Sequence, residues 1–290
     1  MSLTPWDMRS AWRARVRGER PIGNAYREGL GYRALVTRLV LVRHAETVWN
    51  AEGRWQGQTD VALSEQGRAE VELVGRRLAG EHFDRVISSD LVRAHDTARG
   101  IAKNASIELD STLREMHLGA WCGLLHHEVT ARFPDQLLAL QRGEDRRIGG
   151  DGETVVELAA RVTTAIDRIA SESEGKSVLI VTHGGVIRAL MLAMLGLSGR
   201  TRPLFGSRNT AITRVDVVGG RKTLRSYNDG LHLEHPALEG EEHLVGHIAK
   251  TTIASLLGVA DPSVLGAPAE DAESCVVTNK RQLVSYALTR

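Results

Sequence analysis

Two histidines stand where apolar runs end. His44 follows Arg38-Leu-Val-Leu-Val42 and Arg43, and His183 follows Val178-Leu-Ile-Val181 and Thr182. A lone histidine at such a place says little, but two leaving buried strands would meet in one crevice. Polar groups buried there need partners. Two arginines supply a second clue. Arg43 precedes His44 directly, and Arg93 falls in the first turn of a predicted helix. Guanidinium forks match phosphate oxygens bidentately, and a helix N-terminus adds a favourable dipole and free N–H groups. Taken singly, each arginine reads as a surface ion pair. Converging with both histidines, they describe a receptor for a phosphoryl dianion. The third clue is Glu115, in Leu113-Arg-Glu-Met-His-Leu-Gly119. A carboxyl kept protonated by burial can give a proton to a departing alkoxide. Arginine contact would oppose that state, so Glu115 is expected on the leaving-group side, away from the guanidinium groups.

These residues need a frame that brings them together. Apolar β-branched runs predict buried strands at 38–42, 85–88, 107–109 and 178–181. Ser64 reads as the N-cap of a helix through Ala79, with Gly80 at C′. A second helix is expected from about Asp90 to Ala102. Thr154-Val-Val-Glu157 is a capping-box pattern opening a helix to about Ser171, and an apolar helix should follow Gly184-Gly185 as far as Leu195. Residues 113–150 are glycine-punctuated and suggest at most two short helices. A hairpin closes the unit, with strands at 211–217 and 222–227 around Gly219-Gly220. Such alternation predicts an α/β fold: a mostly parallel, doubly wound sheet with helices on both faces. Ligands of these sheets bind beyond the carboxyl ends of the strands, where both histidines are placed.

The chain has 290 residues, 42% of them hydrophobic and 25% charged, with a net charge of +1. This is ordinary globular composition, without the charge bias of a nucleic-acid or membrane binder. Cys122 and Cys275 are far apart with no Cys-x-x-Cys spacing. Neither a disulfide framework nor a secretory leader is indicated, and a cytoplasmic location is expected. Residues 1–38 hold eight arginines, and 1–37 reads as a basic N-terminal extension. The catalytic domain is assigned to 38–235, and 236–290 to a C-terminal extension without a readable role.

Arg43-His44-Ala45-Glu46-Thr47-x-x-Asn50, with Gln56-Gly57, Asp60 and Leu63-Ser64-x-x-Gly67, resembles the opening signature of the histidine phosphatase superfamily, the phosphoglycerate mutase-like family. Ser88-Ser89-Asp90-Leu91-x-Arg93-Ala94-x-x-Thr97-Ala98, Leu113-Arg114-Glu115 with Gly119-x-x-x-Gly123, and Thr182-His183-Gly184-Gly185 are similar to its later blocks, in the right order. The resemblance spans about residues 38–235. It implies that His44 becomes phosphorylated, that His183 supports the transferring phosphoryl group, and that Arg43, Arg93 and Asn50 bind its oxygens. Glu115 would be the proton donor. Ala45 replaces the commoner glycine, and His95 stands where many relatives carry tyrosine, which could alter the pocket lining. No cofactor and no metal are called for.

Phosphatase and cofactor-dependent phosphoglycerate mutase share this core. Such mutases carry a longer basic insertion after the proton donor, whereas only about 38 positions separate Glu115 from Glu153 here. The phosphatase branch is therefore preferred. A noncatalytic phosphate-binding protein and a metal hydrolase built on His126-His127 or His243…His247 are the rivals, and neither histidine run brings an evident carboxylate set. The expected partner is a small phosphorylated substrate, with no nucleic acid and no membrane; a homodimer is left open. Arg142, Arg146 and Arg147 could roof the crevice and meet a second anionic group, or form a solvated basic turn.

Overall fold

A computed structural model describes residues 35–198 and 206–234. The chain divides into two units, Met1–Gly230 and Leu231–Arg290. Of the second, only the helix Leu231–Glu234 is described. Nearly all of the basic extension, the whole of 236–290, and His243 and His247 lie outside the described residues.

Six strands form one sheet: β1 (Thr37–Arg43), β2 (Arg85–Ser88), β3 (Ile107–Leu109), β4 (Ser177–Thr182), β5 (Ile212–Val218) and β6 (Arg221–Asp229). Their spatial order is β3-β2-β4-β1-β5-β6. The pairs β2/β3, β2/β4 and β1/β4 are parallel. The pairs β1/β5 and β5/β6 are antiparallel, so the expected closing hairpin occupies one edge of a mostly parallel sheet.

Among the described residues, seven helices precede that hairpin or separate the strands: α1 (Val48–Glu52), α2 (Glu65–Leu78), α3 (Val92–Ile101), α4 (His126–Arg132), α5 (Pro134–Gln141), α6 (Val155–Glu172) and α7 (Gly184–Met194). Strand alternation gives the sheet two apolar faces, covered by four of these helices. Leu39 and Leu41 of β1, with Val178 and Ile180 of β4, pack on α6 and α7. Val40 and Val42, with Leu179 and Val181, pack on Val74 and Leu78 of α2 and Ala94 and Ala98 of α3. Leu41, Val42, Ile180 and Val181 are all fully buried, and each such side chain stabilises the fold by about 1.5–3 kcal/mol. This two-sided burial explains why the strands read as unbroken apolar runs.

The helix ends follow the expected chemistry. Ser64 Oγ accepts from Gly67 N–H at 2.9 Å, and Thr154 with Glu157 completes a reciprocal capping box. α3 starts two residues later than expected, at Val92, because Asp60 of the preceding loop accepts the Val92 N–H at 2.9 Å. α2 stops at Leu78 with Ala79 as its cap. A small separate cluster of Leu118, Trp121, Val129 and Ile148, with Trp55 packed against it, stabilises the glycine-rich stretch through α4 and α5.

β1 and β4 are central neighbours. The chain leaves β1 for the α2/α3 face and leaves β4 for the α7 face. The crevice between their carboxyl ends is therefore a topological switch point, where open α/β sheets bind ligands.

Candidate active site

Register brings the two histidines together. Arg43 pairs with Thr182 across β1 and β4, so His44 and His183 are the next residue on each strand. His44 N–H donates to Thr182 O at 2.8 Å, and the ring centroids lie 5.2 Å apart. Ser88 of β2 pairs with Val181, which sets Ser89 beside them. Three adjacent strand ends thus deliver His44, His183 and Ser89 to one place.

Both imidazoles are buried. Burial, reinforced by the neighbouring guanidinium groups, holds both pKa values well below 6.5. Each ring is therefore neutral at physiological pH, with one N–H and one lone pair. His44 Nδ1 lies 2.8 Å from the carbonyl oxygen of Ala45. That oxygen can only accept, so Nδ1 carries the proton and Nε2 keeps its lone pair. His183 Nε2 lies 2.9 Å from Ser89 Oγ, and its Nδ1 is buried without a partner.

Arg93 is fully buried, and its two terminal nitrogens donate to Gly57 O at 2.7 Å and Thr59 O at 2.8 Å. Arg43 donates to Ser207 O, and its Nε, like that of Arg93, is buried without a partner. Burial lowers the Arg43 pKa to about 10 and lowers that of Arg93, with the Glu115 charge opposing the shift in both. Both remain cations at neutral pH. Among the described residues neither guanidinium forms an ion pair. Buried cations held by carbonyls alone form a site complementary to a dianion.

Glu115 accepts from Met116 N–H through Oε1 at 2.8 Å and from Gly185 N–H through Oε2 at 3.0 Å. A Cβ at position 185 would fall 2.0 Å from Glu115 Oε1, so glycine is required for the carboxyl to reach the N-terminus of α7. Among the described residues Glu115 makes no ion pair with Arg43 or Arg93, yet its charge is the leading electrostatic influence on both after burial. The segment carrying it is pinned by Arg161, which donates to Thr112 O and Arg114 O and forms a two-pronged pair with Glu153. Asn50 lies at the end of a capping box with Thr47. Its Oδ1 accepts from Thr47 N at 3.2 Å and Asn209 Nδ2 at 3.3 Å, which leaves its Nδ2 to donate elsewhere.

Several residues of this site carry no role in the sequence reading. Ser89 lies inside a quoted motif yet offers no sign that it touches His183. Gln56, likewise within a motif, is buried with its Oε1 unpartnered. Thr97 accepts from Ala45 N–H at 3.0 Å and ties α3 to the His44 loop. Asn209 donates to His44 O at 2.9 Å. It precedes Thr210, a β-branched residue at φ 53°, an unfavourable backbone state for such a side chain.

Other expectations are redirected. Arg146 pairs with Glu144, and Arg147 with Glu157, while Arg142 is exposed; local acids, rather than the crevice, engage the two paired ones. His95 lines an open depression of about 390 Å³ with Arg99, Ala102, Lys103, Ala105 and Ile107, none of them a candidate site residue. His126 opens α4 and lies against Trp55. Among the described residues no three His, Cys, Asp or Glu side chains converge as a metal site, and no helix is long and apolar enough to cross a membrane.

Comparison with known proteins agrees with the architecture. The model of the histidine phosphatase superfamily (branch 1) matches residues 39–230. Phosphoglycerate mutase-like protein 4 of Arabidopsis thaliana is 38% identical over 202 residues, covering 68% of this chain and 86% of that one. The metal-independent phosphoserine phosphatase of the same plant is 38% identical over 204 residues, covering 68% and 84%. Among solved structures, a mutant phosphoserine phosphatase of Entamoeba histolytica in complex with phosphoserine superposes with a TM-score of 0.63 at 29% identity, covering 68% of this chain and 99% of that one. The chain is a histidine phosphatase, a member of branch 1 of the histidine phosphatase superfamily.

Proposed function

We propose that this chain hydrolyses a small phosphomonoester through a phosphohistidine on His44, without a metal. The observation that carries the reading is the pairing of two buried, neutral imidazoles, 5.2 Å apart, with two buried guanidinium groups that, among the described residues, no carboxylate pairs with directly. A phosphoryl dianion supplies the missing charge and accepts every open donor.

In this reading Arg43, Arg93, the Asn50 amide and His183 Nδ1–H hold the phosphoryl oxygens. His44 Nε2 attacks phosphorus in line, and the bond to the leaving oxygen breaks. Glu115, in its protonated form, gives that oxygen its proton and becomes a carboxylate. A water then attacks phosphorus, the P–N bond breaks, and Glu115 takes the water's proton while inorganic phosphate departs. Positioning and fixed charge provide the acceleration, as expected for phosphoryl transfer. Phosphoserine, which the similar enzymes act on or bind by name, is the first substrate to test. A reducing, cytoplasmic compartment is proposed with it, in keeping with the free thiol of Cys122.

The test is turnover of p-nitrophenyl phosphate and phosphoserine between pH 5 and 8 with excess chelator. Hydrolysis that the chelator leaves intact is expected. Absence of turnover, or its loss on chelation, contradicts the proposal.

A further inference from the structure

α7 begins at the site, and its first two residues touch different groups of it. A Cβ at Gly184 would lie 3.3 Å from Arg43 Nε, and one at Gly185 would lie 2.0 Å from Glu115 Oε1. At about 100° per residue, position 188 comes round to an azimuth between those of 184 and 185, one turn further on. Helical side chains lean toward the N-terminus. A long side chain at 188 therefore reaches back over the gap between the phosphate arginine and the proposed proton donor, the side from which a leaving group departs.

That residue is Arg188, in a helix whose other residues up to Leu192 are all buried apolar or glycine. It is part-buried. The neighbouring arginines are engaged: Arg161 by Glu153 and Arg114 by Asp90. Arg188, among the described residues, has neither an ion pair nor a hydrogen-bond partner. It is close enough to Arg43 that its charge helps lower the Arg43 pKa, after burial and against the opposing Glu115 charge. It also acts on Tyr227, whose hydroxyl donates to Gly206 O, next to the Ser207 carbonyl that holds Arg43. Two cations without direct ion-pair partners repel, and anions placed at both relieve that repulsion. One phosphoryl group engages Arg43, and a second anionic group would engage Arg188.

We infer that Arg188 selects the substrate by holding a second anionic group, a carboxylate on the leaving group close to the ester oxygen. This rests on the phosphatase reading above and names the substrate class of the same site. Arg142, Arg146 and Arg147, the arginines that the sequence offers for this task, are exposed or paired locally.

The matched pair 3-phosphoglycerate and glycerol 3-phosphate tests it, because they differ only by carboxylate against hydroxymethyl. The wild type should prefer 3-phosphoglycerate. Arg188→Met, which keeps the length and packing of the stem, should reduce the ratio of the two kcat/KM values about 10- to 100-fold, the worth of a charge-assisted contact. The loss should lie in KM, and Arg188→Lys should restore much of it. An unchanged ratio in Arg188→Met, or a wild type indifferent to the carboxylate, overturns the role of Arg188 and leaves the phosphatase reading standing. A wild type that hydrolyses neither ester nor p-nitrophenyl phosphate overturns both.

Discussion

His183 Nε2 lies 2.9 Å from Ser89 Oγ, and that contact decides which ring nitrogen can face a phosphoryl oxygen. Ser89 Oγ accepts from Leu91 N–H at 3.3 Å, so its own proton is free to go to Nε2. His183, held neutral by burial, then carries its proton on the unpartnered Nδ1. Ser89→Ala removes the hydroxyl that fixes this tautomer. We expect kcat to fall about 10- to 100-fold with a smaller change in KM, the effect of losing one oriented donor. Steady-state kinetics check this, and an unaltered kcat would show that Ser89 leaves the tautomer unaffected.

Arg93 spends its fork on two carbonyls and leaves Nε facing inward. Lysine keeps the charge but cannot reproduce that geometry. Arg93→Lys should cost about 100- to 1000-fold in kcat/KM. It should also remove most of the thermal stabilisation by inorganic phosphate, which for the wild type at 100 times Kd amounts to about 2.7 kcal/mol. Melting curves with and without phosphate read this directly; equal shifts in both proteins would count against Arg93 as a phosphate ligand.

The two neutral histidines make the fold sensitive to acid. Burial sets their folded-state pKa values well below 6.5. As pH falls through 6.5 the unfolded chain binds protons that the folded chain refuses, so stability is lost. Their contribution is fully present above 6.5 and declines below it by about 1.4 kcal/mol per pH unit for each ring, until the folded-state pKa is reached. Urea unfolding at pH 7.5, 6.5 and 5.5 should give a shallower slope for His183→Gln than for the wild type, by about one proton. Parallel slopes contradict the buried neutral state.

In the phosphorylation step Glu115 acts only through the leaving oxygen. Glu115→Gln should therefore reduce hydrolysis of an alkyl phosphate about 100- to 10,000-fold, the usual worth of a general acid. It should affect p-nitrophenyl phosphate far less in the phosphorylation step, because nitrophenolate leaves without a proton. Burst-phase kinetics isolate that step. Equal losses with both esters would remove Glu115 from the role.

The sheet was legible because strands buried on both faces must be apolar throughout, and 38–42 and 178–181 are. His44 and His183 were legible because each follows such a run. Their pairing needed the register of β1 against β4, which apolar composition does not encode. Ser89 and Asn209 act through contacts across 94 and 165 positions of chain, and serine or asparagine near a turn has ordinary local uses that hide a longer-range one. The Arg142, Arg146 and Arg147 cluster shows the converse. Its charge is visible in sequence, but Glu144 and Glu157 engage two of its members, and only coordinates reveal that. Arg188 was hidden inside an apolar helix, where its azimuth matters more than its neighbours in sequence.

The account stands or falls on His44 Nε2 as the group that takes the phosphoryl. Mixing the enzyme with a 32P-labelled phosphomonoester, quenching within the first turnover in alkali and mapping the labelled peptide tests this directly. The account predicts an alkali-stable, acid-labile label on His44, present in wild type and absent in His44→Ala, which should turn over nothing. Label on another residue, or sustained turnover by His44→Ala, would contradict it.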